Sequence, residues 1–362
     1  MYRNHTIAVV VPAYNEAGLV GDVIRTVPEY VDRVYVVDDG STDGTWTEIT
    51  AAATAVNEST DGTEATESAD TTATGLDERV VTIRHDENRG VGGAIKTGYL
   101  HAREDGIDVT AVMGGDGQMR PEGLAAVIDP IVEGQADYAK GNRLHDPETA
   151  REMPRFRLLG NRILTLLTKV ASGYWGASDP QNGYTAISLD ALEAVEIEEM
   201  YEFYGYCNDL LVKCNTEGLR VADVPRAAAY DDEESHISLS TYVPRVSTML
   251  LRNFLGRLRD QYLRGPAHPA WLSYATGLVT GIAGVSLALA ETVTEDGTAR
   301  SVANALSLAL VGCLAFLLGA VLERDRFAER TVVAEPQAVD TEERIETDSA
   351  TTDGHQPEAS AD

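Results

Sequence analysis

Gly114-Gly115-Asp116-Gly117-Gln118 ends the apolar run Val109 to Met113, and its residue types suit chemistry at a charged ligand. An acidic side chain delivered by a buried strand onto a glycine-rich turn can ligate a divalent cation, while the bare glycines let the backbone approach a phosphorylated ligand. A metal and diphosphate site follows from that reading. The same letters also describe an ordinary strand-to-loop turn, and within this segment both readings stand.

Two upstream segments have the same form. Ile7 to Val11 is an unbroken apolar run that leads into Pro12-Ala13-Tyr14-Asn15-Glu16 and then an amphipathic stretch from Gly18 to Val27. Val34 to Val37 ends in Asp38-Asp39-Gly40-Ser41-Thr42-Asp43-Gly44-Thr45. Three continuous apolar strands separated by helical stretches predict a parallel sheet covered on both faces. Ligands of such sheets sit at the carboxyl ends of the strands, where all three polar turns fall.

These residues carry a resemblance. Val10 to Glu16, Val37 to Thr45, Asn88-Arg89-Gly90 with Gly92-Gly93-Ala94, and Asp116-Gly117-Gln118 followed by Pro121-Glu122 resemble the ordered motifs of family 2 glycosyltransferases. The branch they are most similar to is the polyprenyl-phosphate sugar transferases, of the dolichyl-phosphate mannose synthase type. The likeness covers about residues 5 to 230. It implies a Rossmann-like GT-A domain with a mostly parallel α/β sheet over residues 1–235, binding a UDP- or GDP-sugar. It further implies Pro12, Tyr14 and Glu16 around the base and ribose, Asp38 or Asp39 accepting from the base, and Gly90, Gly93, Lys96 and Gly115 near ribose and phosphates. Glu16 also suits the first turn of a helix, and Asp38 and Asp39 suit a turn that caps the next one.

Departure of a nucleoside diphosphate builds charge on phosphate, which calls for a cation and hydrogen-bond donors. Asp116 is the expected Mg²⁺ or Mn²⁺ ligand, with Gln118 as a direct or water-mediated second contact. The family's usual partner Asp two residues earlier is Gly114 here, so the metal motif is incomplete. Mg²⁺ needs few protein ligands when a diphosphate supplies others.

On the acceptor side, the resemblance implies that Arg143 and Arg157 hold a lipid phosphate, a role that a planar fork suits, and that Asn161, Gln181 and Asn182 line the site. Arg162 fits either this group or a solvated helix face. A phosphate acceptor needs no general base, whereas a sugar hydroxyl does. Asp209 lies about where hydroxyl-accepting relatives carry a catalytic carboxylate, and it equally suits a helix cap. The expected activity is therefore inverting, metal-dependent transfer of one sugar to polyprenyl or dolichyl phosphate in glycoprotein or surface-glycan assembly. The alternatives are extension of a lipid-linked saccharide on a hydroxyl, and a non-catalytic membrane scaffold that keeps the nucleotide fold.

Composition narrows the rest. The 362 residues carry a formal charge of -29, which opposes a nucleic-acid partner. Only 4 of the 29 basic residues are lysine and acidic residues number 58, a balance suited to concentrated salt, as in haloarchaea. Cys207, Cys214 and Cys313 form no Cys-x-x-Cys pair and are expected to be small buried thiols. The early first strand predicts no signal peptide. Residues 52 to 75, poor in large apolar side chains, predict a disordered insert, and the acidic stretch 329–362 a disordered tail.

Trp271 to Ala290 and Val302 to Leu322 each run about 20 residues without a charge, enough to cross a bilayer. Arginines precede the first span and follow the second, whereas acidic residues dominate the linker. The positive-inside rule then predicts a multi-pass protein of the cell membrane with its catalytic domain and both termini cytoplasmic. A buried hairpin of a soluble protein is the alternative. Between sheet and hairpin, residues 240–264 alternate apolar positions with Arg245, Arg252, Arg257 and Arg259 at helical spacing, as in a helix lying on the headgroups or one docked on the core.

Overall fold

The computed structural model describes residues 1–61, 78–145, 155–226, 239–263, 268–293 and 298–334. Its strands are β1 (Ile7–Ala13), β2 (Arg33–Asp38), β3 (Val80–Arg84), β4 (Val109–Val112), β5 (Tyr138–Asn142), β6 (Thr185–Ser188), β7 (Val221–Pro225) and β8 (Thr331–Val333). They form one sheet in the order β3-β2-β1-β4-β6-β5-β7-β8. Every pairing is parallel except those of β6 with β4 and β5. The mostly parallel α/β sheet is the fold class expected.

The unbroken apolar runs follow from burial on both faces. In β1, Ile7, Val9 and Val11 enter one core with helices α1 (Val20–Thr26), α2 (Thr45–Asp61) and α4 (Leu124–Val132). Ala8 and Val10 enter the other, with α3 (Val91–Glu104), α6 (Leu189–Ala194) and α7 (Tyr206–Thr216). A third core joins α5 (Arg155–Ser172) to α7, to α8 (Leu239–Leu258), and to the antiparallel pair α9 (Pro269–Val293) and α10 (Ala299–Arg326).

Helices α9 and α10 are long and apolar enough to cross a membrane. They approach closely because small residues face one another: a Cβ on Gly284 would lie 2.3 Å from the Ala309 nitrogen. Leu272, Val279, Ile282 and Leu289 point outward, each more than 60% exposed.

Three expectations are corrected. Helix α2 runs on to Asp61, so residues 52–61 are helical rather than a loop; Ala52 and Ala53 bury against the sheet, and Asn57 exchanges hydrogen bonds with the backbone of Val80. The remainder of that predicted insert lies outside the described residues. The expected disordered tail begins instead as β8, whose Thr331 to Val333 pair with Val221 to Asp223; residues 335–362 lie outside the described residues. Cys207 and Cys214 are buried, but Cys313 sits exposed on α10.

Helix α8 takes the docked alternative along one face. Val246, Leu250, Phe254 and Leu258 are buried in the third core, while Leu251, Leu255, Arg252 and Arg259 remain exposed. Arg257, expected among the surface cations, is fully buried. It forks onto Glu323 of α10 at 2.7 and 3.0 Å and also donates to the carbonyls of Val170 and Ala171 in α5. Tyr262 and Tyr274 donate to the same carboxylate. Every polar atom of that buried pair thereby finds a partner, as burial of two charges demands.

Candidate functional site

The turns after β1 and β2 are laced together. Asn15, in the left-handed region at φ 57, donates its backbone N–H to Ser41 Oγ and accepts from the Thr42 N–H. The Glu16 N–H donates to Thr45 Oγ1 at 2.8 Å, and the Glu48 carboxylate accepts from the N–H groups of Gly18 and Gly21. This scaffold presents Tyr14 to solvent at 45% exposure, with Glu16 half-buried beside it.

Asp38 and Asp39 point inward. Asp39 accepts from the N–H groups of Arg89 and Gly90 at 2.9 and 2.8 Å, and its Oδ1 lies 2.7 Å from His85 Nδ1. His85 Nε2 lies 2.9 Å from Thr97 Oγ1. Asp39 therefore ties β2 to the β3–α3 connection rather than standing open to a base. Asp38 accepts from the Ser41 N–H, and its Oδ2 lies 3.1 Å from Arg84 Nε without an aligned hydrogen bond.

Gly90, Gly93 and Lys96 also meet protein where ligand contacts were expected. The Gly93 N–H donates to the Glu202 carbonyl, and a Cβ on Gly90 would stand 2.6 Å from that same oxygen. Lys96 and Arg89 both pair with the Glu202 carboxylate, whose pKa is held down by the Lys96 hydrogen bond. The glycines thus admit the segment Tyr201–Gly205 against α3. That segment brings Tyr204, itself 57% exposed, toward the site: partial desolvation raises its hydroxyl pKa, and the charges of Glu16 and Asp116 raise it further. In the sequence Tyr204 is marked only by its place between Phe203 and Gly205.

The third turn crosses beside the first. The Gly115 N–H donates to the Pro12 carbonyl at 3.0 Å, and the Gln118 N–H to Asp116 Oδ1 at 3.0 Å. The Asp116 carboxylate folds back over Gly114, where an added Cβ would lie 2.8 Å from Oδ1. Among the described residues no group of three or more acidic, His or Cys side chains gathers here. One carboxylate with an exposed amide beside it suits an oxygen-liking dication that draws its other ligands from diphosphate and water.

The acceptor-side residues gather at the ends of β5 and β7. Asp223 takes Lys140 Nζ at 2.9 Å and Asn142 Nδ2 at 2.7 Å. Arg143, expected on a lipid phosphate, forks through Nε and Nη2 onto the buried Asp179 at 2.8 and 3.1 Å. Burial alone would raise the Asp179 pKa, but hydrogen bonds and charge from Arg143 bring it below its ordinary value. Asn182 accepts from the Tyr184 N–H and holds the turn, while both amide atoms of Gln181 are buried and, among the described residues, without a hydrogen bond. Behind the turn, Asn142, His145, Arg162, Thr165 and Asp179 line a pocket of about 330 Å³. Asn161 is half-exposed on α5; the side chain of Arg157, one helical turn earlier, lies outside the described residues.

Asp209 is tied to the Tyr201 segment and to α8. Its oxygens accept from the Tyr201 N–H at 3.0 Å and from Asn253 Nδ2 of α8 at 2.6 Å. It lines a separate pocket with Glu199, Lys213, Arg245 and Arg252. Burial raises its pKa above the ordinary carboxylate value.

Comparison with known proteins agrees with this architecture. The family model for glycosyl transferase family 2 matches residues 8–195. A UDP-N-acetylglucosamine–dolichyl-phosphate N-acetylglucosaminyltransferase of Methanococcus voltae is 30% identical over 62% of this chain and 86% of its own length. An undecaprenyl-phosphate mannosyltransferase of Micrococcus luteus is 26% identical over 60% and 82% respectively. The solved glucosyl-3-phosphoglycerate synthase of Mycobacterium tuberculosis superposes with a TM-score of 0.45 at 18% identity, over 70% of this chain and 80% of that one. A family match over more than half of the residues, on a sheet whose strand ends carry the matching motifs, settles the family: the chain belongs to glycosyl transferase family 2 and is a glycosyltransferase.

Proposed function

We propose that this glycosyltransferase is membrane-bound and moves one sugar, with inversion, from a UDP- or GDP-sugar to a polyprenyl or dolichyl phosphate. The observation that carries the reading is the state of Asp209. Its carboxylate is committed to Tyr201 and Asn253 and faces a different pocket from the turn of Asp116. A hydroxyl acceptor would need such a group as its base, whereas an anionic phosphate oxygen attacks the anomeric carbon unaided. The names of the relatives from Methanococcus voltae and Micrococcus luteus, both of which act on polyprenyl-type phosphates, support the same choice.

In this reading Asp116 and Gln118 hold Mg²⁺ or Mn²⁺, which when bound neutralises the departing diphosphate. Tyr14, Glu16 and Tyr204 bound the nucleotide and sugar, and Asp38 and Asp39 act by fixing the turns. The acceptor phosphate lies among Arg143, Arg157, Asn161 and Gln181, with Asn182 fixing the turn. Helices α9 and α10 anchor the domain in the cell membrane, with the sheet on the cytoplasmic side where the exposed Arg252, Arg259 and Arg324 cluster.

The test is label transfer from a panel of UDP- and GDP-sugars to dolichyl phosphate by membranes holding the protein, in molar salt with Mg²⁺ or Mn²⁺. Asp116→Ala and EDTA are each expected to remove the acid-labile labelled lipid. Extension of a lipid-linked saccharide while dolichyl phosphate stays unlabelled would sink the proposal.

A further inference from the structure

Arg226, the residue after β7, is a cation that the resemblance did not single out. The parallel register pairs Asn142 with Pro225, and the Arg226 N–H continues the ladder to the Asn142 carbonyl at 3.1 Å. Arg226 and Arg143 therefore leave the sheet on the same rung. An added Cβ on Gly141 would meet both the Arg226 Cδ and the Asn182 amide, so Arg226 lies on the face that carries the Asp179–Asn182 turn.

Their partners differ. Arg143 is forked onto Asp179. The Arg226 guanidinium lies 4.5 Å from the centroid of the Tyr184 ring, and among the described residues it has no ion pair. Its Cδ packs where Gly141 has no Cβ, so the absence of a side chain there makes room for it. The Tyr184 hydroxyl donates to the Arg120 carbonyl, in the turn that follows Asp116. Arg226 thus stands between the turn of Asp116 and the acceptor-side pair Arg143–Asp179. A half-buried Arg resting on an aromatic face keeps its hydrogen-bond donors for a ligand. Burial lowers the Arg226 pKa; Tyr184 and Asp179 oppose that shift and Arg143 adds to it.

We infer that Arg226 is a direct contact for the phosphate monoester of the acceptor lipid, supplying a second guanidinium beside Arg143. The inference rests on the proposed lipid-phosphate reading. The donor's diphosphate offers the same chemistry from the other side, so the test must separate the two.

The full-length protein in detergent or nanodiscs is titrated with dolichyl phosphate and, separately, with the UDP- or GDP-sugar, for wild type, Arg226→Gln and Arg226→Lys. Melting temperatures report folding. Losing a charge-assisted contact is expected to weaken dolichyl phosphate binding by about tenfold to a hundredfold in Arg226→Gln. Arg226→Lys recovers part of that, and nucleotide-sugar affinity stays within about twofold in both. In turnover the same variant raises KM for the lipid with kcat nearly kept. Unchanged lipid binding in Arg226→Gln, or a loss confined to the nucleotide-sugar, overturns the role of Arg226 alone. If wild type itself does not bind dolichyl phosphate, the underlying functional reading falls with it.

Discussion

The regions proposed for donor and for acceptor are built in different states. At the donor end, the turns after β1, β2 and β4 hold one another: Asn15 bridges to Ser41 and Thr42, Gly115 donates to Pro12, and Asp39 gathers Arg89, Gly90 and His85. At the acceptor end, among the described residues, Gln181 buries two unpaired amide atoms and Arg226 rests on a ring with no ion pair. A preorganised donor cradle costs little further ordering when nucleotide binds. An acceptor site with unmet donors gains most of its order from the ligand. The difference matches the two proposed substrates, a soluble nucleotide against a phosphate held at a membrane surface.

The acceptor end has one rigid support, and removing it is the largest test of this contrast. Arg257 and Glu323 join α8 and α10 to the carboxyl end of α5, the helix that starts at the acceptor arginines. Arg257→Leu would strand the Glu323 carboxylate in the third core, at an expected cost of about 3–5 kcal/mol. Hydrogen exchange should rise in α5, α8 and α10 while β1, β2 and α3 keep their protection. Arg257→Met with Glu323→Leu should restore most of the stability. Uniform deprotection of the whole sheet in the single variant would show that the two ends are not separate cooperative units.

The donor end is probed by Asp39→Asn. The new amide would turn a donor toward the N–H of either Arg89 or Gly90, and about 1.5–3 kcal/mol should be lost. Nucleotide-sugar affinity is expected to fall while dolichyl phosphate affinity is kept, the reverse of Arg226→Gln. An equal fall in both affinities would mean the ends are coupled.

What the sequence made legible follows the same division. Strands β1, β2 and β4 are marked because burial on both faces demands unbroken apolar runs, and the turn glycines are marked because only they tolerate the backbone. The partners of those turns were not legible. That Asp39 faces inward depends on His85, Arg89 and Gly90, 46 to 51 residues further along the chain, and that Gly90 and Gly93 accommodate Tyr201–Phe203 rather than a ligand depends on a segment more than 100 residues away. Arg257 shows the same limit: its spacing on α8 matches that of the surface arginines, and only the presence of Glu323 opposite makes it a core residue. Arg226 was invisible because its meaning lies in the register of β7 with β5. Helix α2 outran its expected end because Ala52 and Ala53, which looked like loop composition, fit the narrow gap against the sheet.

A smaller effect is expected at Gln181. If its amide waits for the acceptor, Gln181→Leu should be neutral or stabilising by about 1 kcal/mol in the free protein, because two unpaired buried atoms are removed. Dolichyl phosphate affinity should fall several-fold in the same variant. A destabilised free protein with unchanged lipid binding would make Gln181 part of the packing and leave Arg226 as the open group of that end.

The finest test uses two buried aspartates with opposite shifts. Burial raises the Asp179 carboxyl, but Arg143 overrides it and the net shift is downward; burial also raises Asp209, and there the Tyr201 and Asn253 hydrogen bonds do not cancel it. A carboxylate whose folded pKa is depressed contributes stability above its unfolded value of about 3.9, and loses it as pH falls through the folded value. One whose folded pKa is raised does the reverse: ionisation in the folded state carries a penalty at neutral pH, which fades as pH falls through the folded value toward about 3.9. Asp179→Asn should therefore lower the melting temperature at pH 7, with the deficit narrowing on acidification. Asp209→Asn should raise it or leave it unchanged, because Asn253 can turn its amide to accept from the new side chain, and any gain should vanish toward pH 4. Parallel shifts of the two variants across that range would mean that Asp209, too, is held as a paired carboxylate, and a base for a hydroxyl acceptor would then return as the reading to beat.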